Sequence, residues 1–199
     1  MFEKKIKEIC NMLDVKNDLS NFESVVVKGV SIDTRKIEDA NLFVPFKGEN
    51  VDGHQYVRNA IENGASAALW DINVPNPPED IPVIVVEDPL LALQSLANQY
   101  RHELDLKVVG ITGSNGKTTT KDIVANLLSV KYRVHKTQGN YNNHIGLPLT
   151  ILSLPQDSEV AVLEMGMSGF GEIELLSEIS QPDAAIITNI GESHLQDLG

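Results

Sequence analysis

A glycine-rich turn between an apolar run and a helix constrains this chain more than any other feature: Gly110-Ile111-Thr112-Gly113-Ser114-Asn115-Gly116-Lys117-Thr118. Residues Lys107 to Thr112 predict a buried strand, and residues Lys117 to Val130 predict a helix. Glycine tolerates positive φ, so backbone amides around Gly113 and Gly116 can converge on an anion at the positive end of the helix dipole. The turn therefore predicts a phosphate-binding loop.

The side chains of this loop suit a nucleoside triphosphate, and we expect ATP. Lys117 can reach the β- and γ-phosphates, and the Thr118 hydroxyl can ligate a bridging Mg²⁺. Because Ile111 stands where G-x-x-x-x-G-K-[ST] has its first glycine, the loop is a variant. The alternative is a tight strand-to-helix turn in which Lys117 is an ordinary surface residue. The predicted nucleotide-binding residues are Gly113, Ser114, Asn115, Gly116, Lys117, Thr118 and Thr119.

The order of apolar runs along the chain predicts two domains. Beyond Leu106, strands alternate with helices, which is typical of a parallel sheet covered by helices. We predict an α/β protein, with a small mixed α/β domain over residues 1–88 and a phosphate-loop-type parallel-sheet ATP-binding domain over residues 89–199. The few strands after residue 106 make a thin sheet, so we expect a partial domain and a truncated piece of a longer enzyme.

Five further elements follow from periodicity and residue type. In the first domain we predict a helix from Lys4 to Leu13 and a strand within Ser24 to Ile32. In the second domain we predict strands from Val160 to Met165 and from Ala184 to Asn189, with a helix from Ile173 to Ile179 between them.

Composition excludes several classes of protein. Asp and Glu number 28 against 16 Lys and Arg, a formal net charge of -12, so the clustered positive charge that nucleic acid requires is missing. The single cysteine, Cys10, excludes an internal disulfide and a thiolate zinc site. No apolar run approaches the roughly 18 residues that a membrane-spanning helix needs. We therefore expect a cytoplasmic monomer that binds small molecules and does not insert into membranes.

Two polar residues follow apolar strands, where the ligands of open parallel sheets lie. Glu164 closes the apolar run 160–163, and a buried carboxylate requires a cation or a partner, which the Mg²⁺ of a nucleotide would supply. The alternatives for Glu164 are capping of the next turn or pairing with a lysine. His194 lies five residues beyond Asn189. Because Mg²⁺ prefers oxygen ligands, position alone leaves a surface role for His194 equally open.

An amide-rich loop at residues 139–146 follows a predicted strand from Tyr132 to His135. The side chains of Asn140, Asn142 and Asn143 both donate and accept hydrogen bonds, which suits recognition of a carboxylate, a peptide or a sugar. Asn and Gly also tolerate left-handed backbone, so ordinary turn chemistry is the alternative.

These motifs resemble the Mur ligase family over nearly the whole chain. The family's phosphate loop, T-G-[ST]-x-G-K-[ST], matches residues 112–118. The other matching segments are Asp33-Thr34-Arg35, Leu42-Phe43-Val44-Pro45-Phe46-Lys47-Gly48, Asp52-Gly53-His54, Gly64-Ala65, residues 139–148, residues 163–167 and residues 188–195. Within the family they resemble most closely the members that join D-alanyl-D-alanine to UDP-N-acetylmuramoyl-tripeptide in peptidoglycan precursor synthesis.

The resemblance implies a reaction and a set of roles. The carboxylate of the UDP-linked tripeptide attacks the γ-phosphate of ATP, and the amine of D-alanyl-D-alanine then attacks the resulting acyl phosphate. Lys117, Glu164 and His194 are the implied catalytic residues, and Thr118, Glu164 and His194 are the implied Mg²⁺ ligands. The implied substrate-binding residues are Ser31, Asp33, Thr34, Arg35, Lys47, Gly48, Asn140, Asn142 and Asn143.

Family members are about twice as long or more, and similar ligases carry a carbamylated lysine and a C-terminal domain that are missing here. The resemblance therefore implies weak ligand binding and no turnover by this chain alone. Three alternatives stay open: a sister ligase or folate-type ligase, a non-catalytic nucleotide-binding module, and a nucleotide-hydrolysing switch. Lysine and diaminopimelate both remain open as the third residue of the peptide.

Overall fold

The computed structural model describes residues 1–48 and 51–191. The chain divides into two compact units, Met1–Leu96 and Ala97–Gly199. The division falls within a helix, Pro89–Glu103, whose first residue adjoins the boundary predicted between residues 88 and 89. Within the described ranges, no helix combines the length and the apolar character needed to cross a membrane.

Ten strands and six α-helices are formed by the described residues. In chain order they are β1 Glu3–Lys5, α1 Ile6–Met12, β2 Val26–Lys28, β3 Val30–Ser31, β4 Leu42–Phe43, α2 Val57–Glu62, β5 Ala67–Asp71, β6 Val83–Val86, α3 Pro89–Glu103, β7 Lys107–Thr112, α4 Lys117–Leu128, β8 Val134–Lys136, α5 Gly146–Ser153, β9 Val160–Glu164, α6 Glu172–Ser180 and β10 Ala184–Ile187. Short 3-10 turns lie at Ser20–Phe22, Thr34–Lys36 and Gly53–Tyr56.

The first unit contains a parallel sheet with the strand order β3-β4-β5-β6 and a separate antiparallel pair, β1-β2. The two strands β5 and β6 are almost wholly apolar and buried, as expected for parallel strands covered by other elements. Val57 and Ala60 of α2 pack with Phe43 and Trp70 in the core of this unit. The mixed character predicted for the first domain is confirmed.

The second unit is built on a parallel sheet with the strand order β10-β7-β9-β8. Helix α4 packs on this sheet through Ala125, which joins Ile111 and Val162 in a buried cluster. Because the strands are parallel, the loops that follow β7, β9 and β10 all leave the same edge of the sheet. The predicted α/β class with a parallel-sheet second domain is confirmed.

Several element boundaries differ from the sequence predictions for physical reasons. The helix predicted from residue 4 begins at Ile6, because residues 3–5 pair with β2 and this tertiary contact overrides the local helical pattern. The single strand predicted within 24–32 is divided at Gly29, since β2 pairs with β1 and β3 pairs with β4. Helix α5 was not predicted, because it is apolar on nearly all sides and shows no clear period.

Candidate functional site

The turn between β7 and α4 requires its two glycines. Gly113 has φ +131°, and a Cβ atom there would lie 2.2 Å from Thr188 Oγ1 and 2.9 Å from the Asn189 carbonyl oxygen. Gly116 has φ +82°, with open space where a side chain would extend, and it forms the N-cap of α4. Gly113 is therefore required by both conformation and space, whereas Gly116 is required by conformation alone.

The turn is attached to the residues that follow β10. Asn189 accepts hydrogen bonds from the Ser114 amide on its carbonyl oxygen, at 3.1 Å, and from the Asn115 amide on its side-chain oxygen, at 2.9 Å. The Thr188 hydroxyl donates to the Asn115 carbonyl oxygen at 2.6 Å. Sequence analysis gave Asn189 no role. Its position just after an apolar strand was the available signal, since ligands and loops meet at that edge.

The first turn of α4 presents unpaired donors. Among residues 1–48 and 51–191, no group forms a hydrogen bond with the backbone amides of Lys117, Thr118 and Thr119. The Lys117 ammonium donates to the carbonyl oxygens of Gly113, at 2.7 Å, and Ser114, at 3.3 Å. Three free amides at the positive end of a 12-residue helix form an anion site, and Lys117 lies within reach of it.

Glu164 lies at the centre of a buried hydrogen-bond network. The residue is 3% exposed, and its carboxylate accepts from the Thr118 hydroxyl on Oε2, at 3.0 Å, and from the Asn142 amide on Oε1, at 2.8 Å. The structure thus joins three residues that sequence analysis selected separately. One of them, Asn142, also accepts the Gly166 backbone amide on its carbonyl oxygen at 2.8 Å.

Sequence analysis missed a fourth member of this network, Lys121. Its ammonium group lies 3.8 Å from Glu164 Oε2 and donates to the Thr137 carbonyl oxygen at 3.0 Å. The Thr137 hydroxyl in turn accepts the Glu164 backbone amide at 2.9 Å. Lysine pairing was one alternative for Glu164, and it coexists with the bond to Thr118. Residue 121 lies on the same face of α4 as the buried Ala125, and a lysine on a buried helix face requires a buried partner. This pattern could have indicated Lys121 from the sequence.

The oxygen atoms of Thr118 and Glu164 suit a hard cation. Mg²⁺ takes oxygen ligands from one or two protein groups and completes its shell with water and nucleotide phosphate. Within the described part of the chain, no cluster of three or more His, Cys, Asp and Glu side chains is present that would form an all-protein metal cage. His194, the third predicted metal ligand, lies outside the described residues.

The three asparagines of the amide-rich loop have different surroundings. Asn143 Oδ1 accepts the backbone amides of Gly146, at 2.8 Å, and Ile145, at 3.2 Å, so this side chain stabilises the start of α5. Asn140 is exposed, and Asn142 bonds Glu164. A cleft of about 310 Å³ runs from Lys117 past Asn142 and Asn143.

Three of the six predicted substrate residues of the first unit, Asp33, Thr34 and Arg35, line a cavity of about 600 Å³, whereas Ser31, Lys47 and Gly48 are not among its lining residues. Arg35 donates to both carboxylate oxygens of Asp33, at 2.9 and 2.8 Å. These side-chain hydrogen bonds, followed by one from the Arg35 backbone, lower the pKa of Asp33 to about 2. Ser31 is buried, and its hydroxyl donates to the Asp33 carbonyl oxygen at 3.1 Å.

Lys47 and Gly48 lie beside residues 51–54, which include a buried histidine. Lys47 pairs with Asp52 in an antiparallel bridge. His54 is 5% exposed; its Nε2 accepts the Asp71 backbone amide at 3.1 Å, so Nδ1 carries the proton and donates to Asp52 at 2.6 Å. The backbone amide of His54 is the main group that lowers the pKa of Asp52. Sequence analysis quoted Asp52 and His54 only as part of a motif.

Two family profiles match the chain. The profile described as "Mur ligase family, catalytic domain" matches residues 26–101, and the one described as "Mur ligase middle domain" matches residues 111–199. The two matches together contain the cavity beside Asp33 in the first unit and the glycine-rich turn of the second.

Relatives and solved structures agree with these profiles. The chain is 58% identical to UDP-N-acetylmuramoyl-tripeptide--D-alanyl-D-alanine ligase of Bacillus subtilis (strain 168), over 100% of this chain and 44% of that protein. It is 35% identical to the ligase of the same name from Escherichia coli (strain K12), over 96% of this chain and 42% of that protein. The chain thus spans less than half the length of these relatives.

Two crystal structures are similar to the chain. MurF from Acinetobacter baumannii superposes with a TM-score of 0.88 at 33% identity, over 99% of this chain and 43% of that one. MurF ligase from Thermotoga maritima, solved in complex with ADP, superposes with a TM-score of 0.76 at 38% identity, over 85% of this chain and 39% of that one. Sequence, profiles and fold agree, and the chain belongs to the Mur ligase family.

Proposed function

We propose that this chain forms the nucleotide-binding and UDP-sugar-binding parts of an ATP-dependent ligase that joins D-alanyl-D-alanine to UDP-N-acetylmuramoyl-tripeptide. The observation that carries the proposal is the set of three free amides at the start of α4, next to the buried Thr118–Glu164 pair. Relatives with this ligase name, at up to 58% identity, support the choice of reaction. Because the reaction consumes ATP, we assign it to the cytoplasm.

In the proposed nucleotide complex, the phosphates accept hydrogen bonds from the amides of Lys117, Thr118 and Thr119. Lys117 exchanges the carbonyl oxygens of Gly113 and Ser114 for phosphate oxygens, which are stronger acceptors for an ammonium group because they are charged. The exchange requires only rotation of a side chain. The ADP complex of the Thermotoga maritima ligase supports nucleotide binding at this fold.

Thr118 and Glu164 would hold Mg²⁺, and the residues present fit that ion because both offer oxygen to a site beside the phosphates. Bound Mg²⁺ would neutralise the charge that develops on the transferred phosphoryl group. Asn142 donates to the other oxygen of Glu164 and so keeps the carboxylate oriented. The second metal role proposed for His194 rests on the family resemblance alone.

The tripeptide substrate is proposed to bind at two places. The cavity beside Asp33, Thr34 and Arg35 would hold the nucleotide-sugar end, with the exposed Arg35 guanidinium exchanging the Asp33 carboxylate for the diphosphate. The cleft beside Asn142 would hold the peptide carboxylate close to Lys117. There the carboxylate attacks the γ-phosphorus, ADP leaves, and the acceptor amine then displaces phosphate from the acyl phosphate. The protein contributes position and charge neutralisation.

Calorimetry with ATP and Mg²⁺ tests the nucleotide site of this chain. We expect measurable binding by the native chain and at least about a tenfold loss in Lys117→Met, since hydrogen bonds to charged groups are worth roughly 1.5–3 kcal/mol. The matched control is Lys131→Met, which removes an exposed lysine that lies over the Tyr132 ring. Equal affinities for the Lys117 and Lys131 variants would contradict the proposed role of the turn.

The ligase activity is tested in the complete gene product that carries this chain. Phosphate release should depend on both UDP-N-acetylmuramoyl-tripeptide and D-alanyl-D-alanine. Release that needs neither substrate would favour a nucleotide-hydrolysing switch, and release supported by a free amino acid in place of the dipeptide would favour a sister ligase.

A further inference from the structure

Lys121 is a buried lysine that lies near two carboxylates, of which only one is buried. Its ammonium group lies 3.6 Å from Asp122 and 3.8 Å from Glu164. Asp122 already accepts a 2.8 Å hydrogen bond from Lys136, and its side chain is 45% exposed. Glu164, in contrast, is buried as deeply as Lys121. A buried carboxylate is costly without a nearby positive charge, so Lys121 is the counter-ion that the fold itself provides for Glu164.

The same carboxylate oxygen serves Lys121 and the proposed metal pair. Glu164 Oε2 accepts the Thr118 hydroxyl and faces the Lys121 ammonium group. Any divalent cation that reaches this oxygen therefore approaches a full positive charge that already lies 3.8 Å away. Repulsion between like charges at such distances is strong where water is largely excluded.

Nucleotide phosphates change this balance. Phosphates held by the first turn of α4 would bring several negative charges beside Thr118, and they would also supply oxygen ligands. The attraction of a divalent cation to those charges opposes its repulsion by Lys121. Without a nucleotide, only Glu164 and Thr118 would attract the cation, and Lys121 neutralises the one charge they carry.

We propose that Lys121 prevents divalent cations from binding Glu164 until a nucleotide is present, so that metal and nucleotide bind together. Lys121 acts here as a positioning and counter-charge residue that contacts neither the substrate nor the reacting atoms. The inference rests on the proposed metal role of Glu164. It assigns to Lys121 a function beyond stabilising the fold, namely lowering the affinity of Glu164 for a divalent cation so that the cation binds only with the added attraction of the nucleotide phosphates.

The test measures Mn²⁺ binding to this chain without nucleotide, from the loss of the free Mn²⁺ signal in electron paramagnetic resonance. We expect the native chain and Lys121→Arg, which keeps the charge, to bind Mn²⁺ weakly. Lys121→Met should bind Mn²⁺ about tenfold more tightly or better, within the usual range of coupling between two ligand sites. Lys121→Gln can still donate to the Thr137 carbonyl oxygen, and it gives the same answer if the methionine variant fails to fold.

A second substitution locates the gained binding. The double variant Lys121→Met/Glu164→Gln should lose it, because the freed carboxylate is gone. Equal Mn²⁺ affinity in the native chain, Lys121→Met and Lys121→Gln would overturn the inference, and so would a gain that survives Glu164→Gln.

A further readout separates this inference from the function on which it rests. In the native chain, Mg²⁺ should tighten ADP binding strongly, and in Lys121→Gln the same tightening should be reached at an about tenfold lower Mg²⁺ concentration. If Glu164→Gln abolishes the Mg²⁺ effect while Lys121→Gln leaves that Mg²⁺ concentration unchanged, the metal site stands and the role of Lys121 is overturned. If Mg²⁺ never affects ADP binding in the native chain, the proposed metal site itself fails, and the inference with it.

Discussion

The two units each place a carboxylate and a basic residue beside a proposed ligand site, and the two pairs are built differently. Glu164 is 3% exposed and is held by Thr118, Lys121 and Asn142, which come from distant parts of the chain. The side chain of Asp33 is 25% exposed, and its partner Arg35, two residues away, is 85% exposed. The Glu164 network thus exists only in the folded second unit, whereas the Asp33–Arg35 pair needs little more than a local turn.

This difference indicates where a substitution should change both the stability of the fold and the binding of a ligand. Interactions at Glu164 are shielded from water, so removing one partner leaves the others unsatisfied. Interactions at Asp33 are screened by solvent, so removing either Asp33 or Arg35 leaves a partner that water can hydrogen-bond instead. Variants of Glu164 and Lys121 should therefore change folding and metal-dependent binding together. Variants of Asp33 and Arg35 should change substrate binding alone.

The largest expected effect comes from neutralising the two carboxylates in parallel. Glu164→Gln leaves the Lys121 charge buried without its counter-ion, and we expect a loss of about 3 kcal/mol in the free energy of unfolding, measured by urea denaturation. Asp33→Asn should leave that free energy unchanged within error. The double variant Lys121→Met/Glu164→Gln should recover part of the loss, because neither charge remains. Equal losses in Glu164→Gln and Asp33→Asn would abolish the distinction between the two regions.

The turn that carries Thr118 provides the next test, because only one of its two glycines is closely packed. Gly113→Ala must place a methyl group against Thr188 and the Asn189 backbone, whereas Gly116→Ala meets open space. Both substitutions force positive φ on alanine, which costs about 1–2 kcal/mol near the left-handed region where Gly116 lies and more at the φ of +131° of Gly113. We expect Gly113→Ala to be more destabilising than Gly116→Ala by about 1 kcal/mol or more, and to weaken ATP binding further. Similar unfolding curves for the two variants would show that the turn moves aside easily.

The parts of this site that lie within one stretch of sequence could be predicted, and the contacts between stretches could not. The β7–turn–α4 segment follows from glycine, lysine and threonine in fixed order after an apolar strand. Glu164 was selected because it closes an apolar strand. The bond from the Asn115 amide to Asn189, however, joins residues 74 apart and depends on β10 lying beside β7. No local pattern specifies that strand order.

The partner of Lys121 could not be predicted from the sequence either. Periodicity places residue 121 on the buried face of α4, and a lysine there contradicts the apolar pattern of that face. Such a contradiction indicates a buried partner but does not identify it, since several acidic residues follow later in the chain. In the first unit, the Asp33–Arg35 pair is formed by residues two positions apart. Its position beside a cavity does not follow from that spacing, because Phe46 and Tyr56 approach from other segments. Only the family resemblance linked the pair to a ligand.

A smaller effect is expected where the Glu164 network meets the amide-rich loop, whose neighbouring asparagines have different partners. Asn143→Ala removes the acceptor for the amides of Ile145 and Gly146, and we expect a loss of about 1 kcal/mol in the free energy of unfolding. Mg²⁺-dependent ATP binding should change little in this variant. Asn142→Ala instead removes a donor to Glu164, so it should weaken that binding measurably in calorimetry. The reverse pattern would mean that Asn143, rather than Asn142, belongs to the ligand site.

The smallest expected effect concerns the exposed Asp33–Arg35 pair, and it tests whether solvent screens the interaction between these two side chains. Arg35 lowers the pKa of Asp33 from 3.8 to about 2 through side-chain hydrogen bonds. Because the folded pKa lies below the ordinary value, any stability from this pair is present above about pH 4 and is lost as the pH falls towards 2. Carboxyl-carbon NMR should therefore give a titration midpoint near 2 for Asp33 in the native chain, and in Arg35→Gln a higher midpoint that stays below 3.8, because the backbone amide of residue 35 still donates to Asp33. The free energy of unfolding should hardly differ between the two chains at neutral pH, since the ion pair is exposed to water.

A midpoint near 3.8 in both chains would mean that Arg35 already points away from Asp33 in solution, where it would be free to bind an anionic substrate without first breaking a bond.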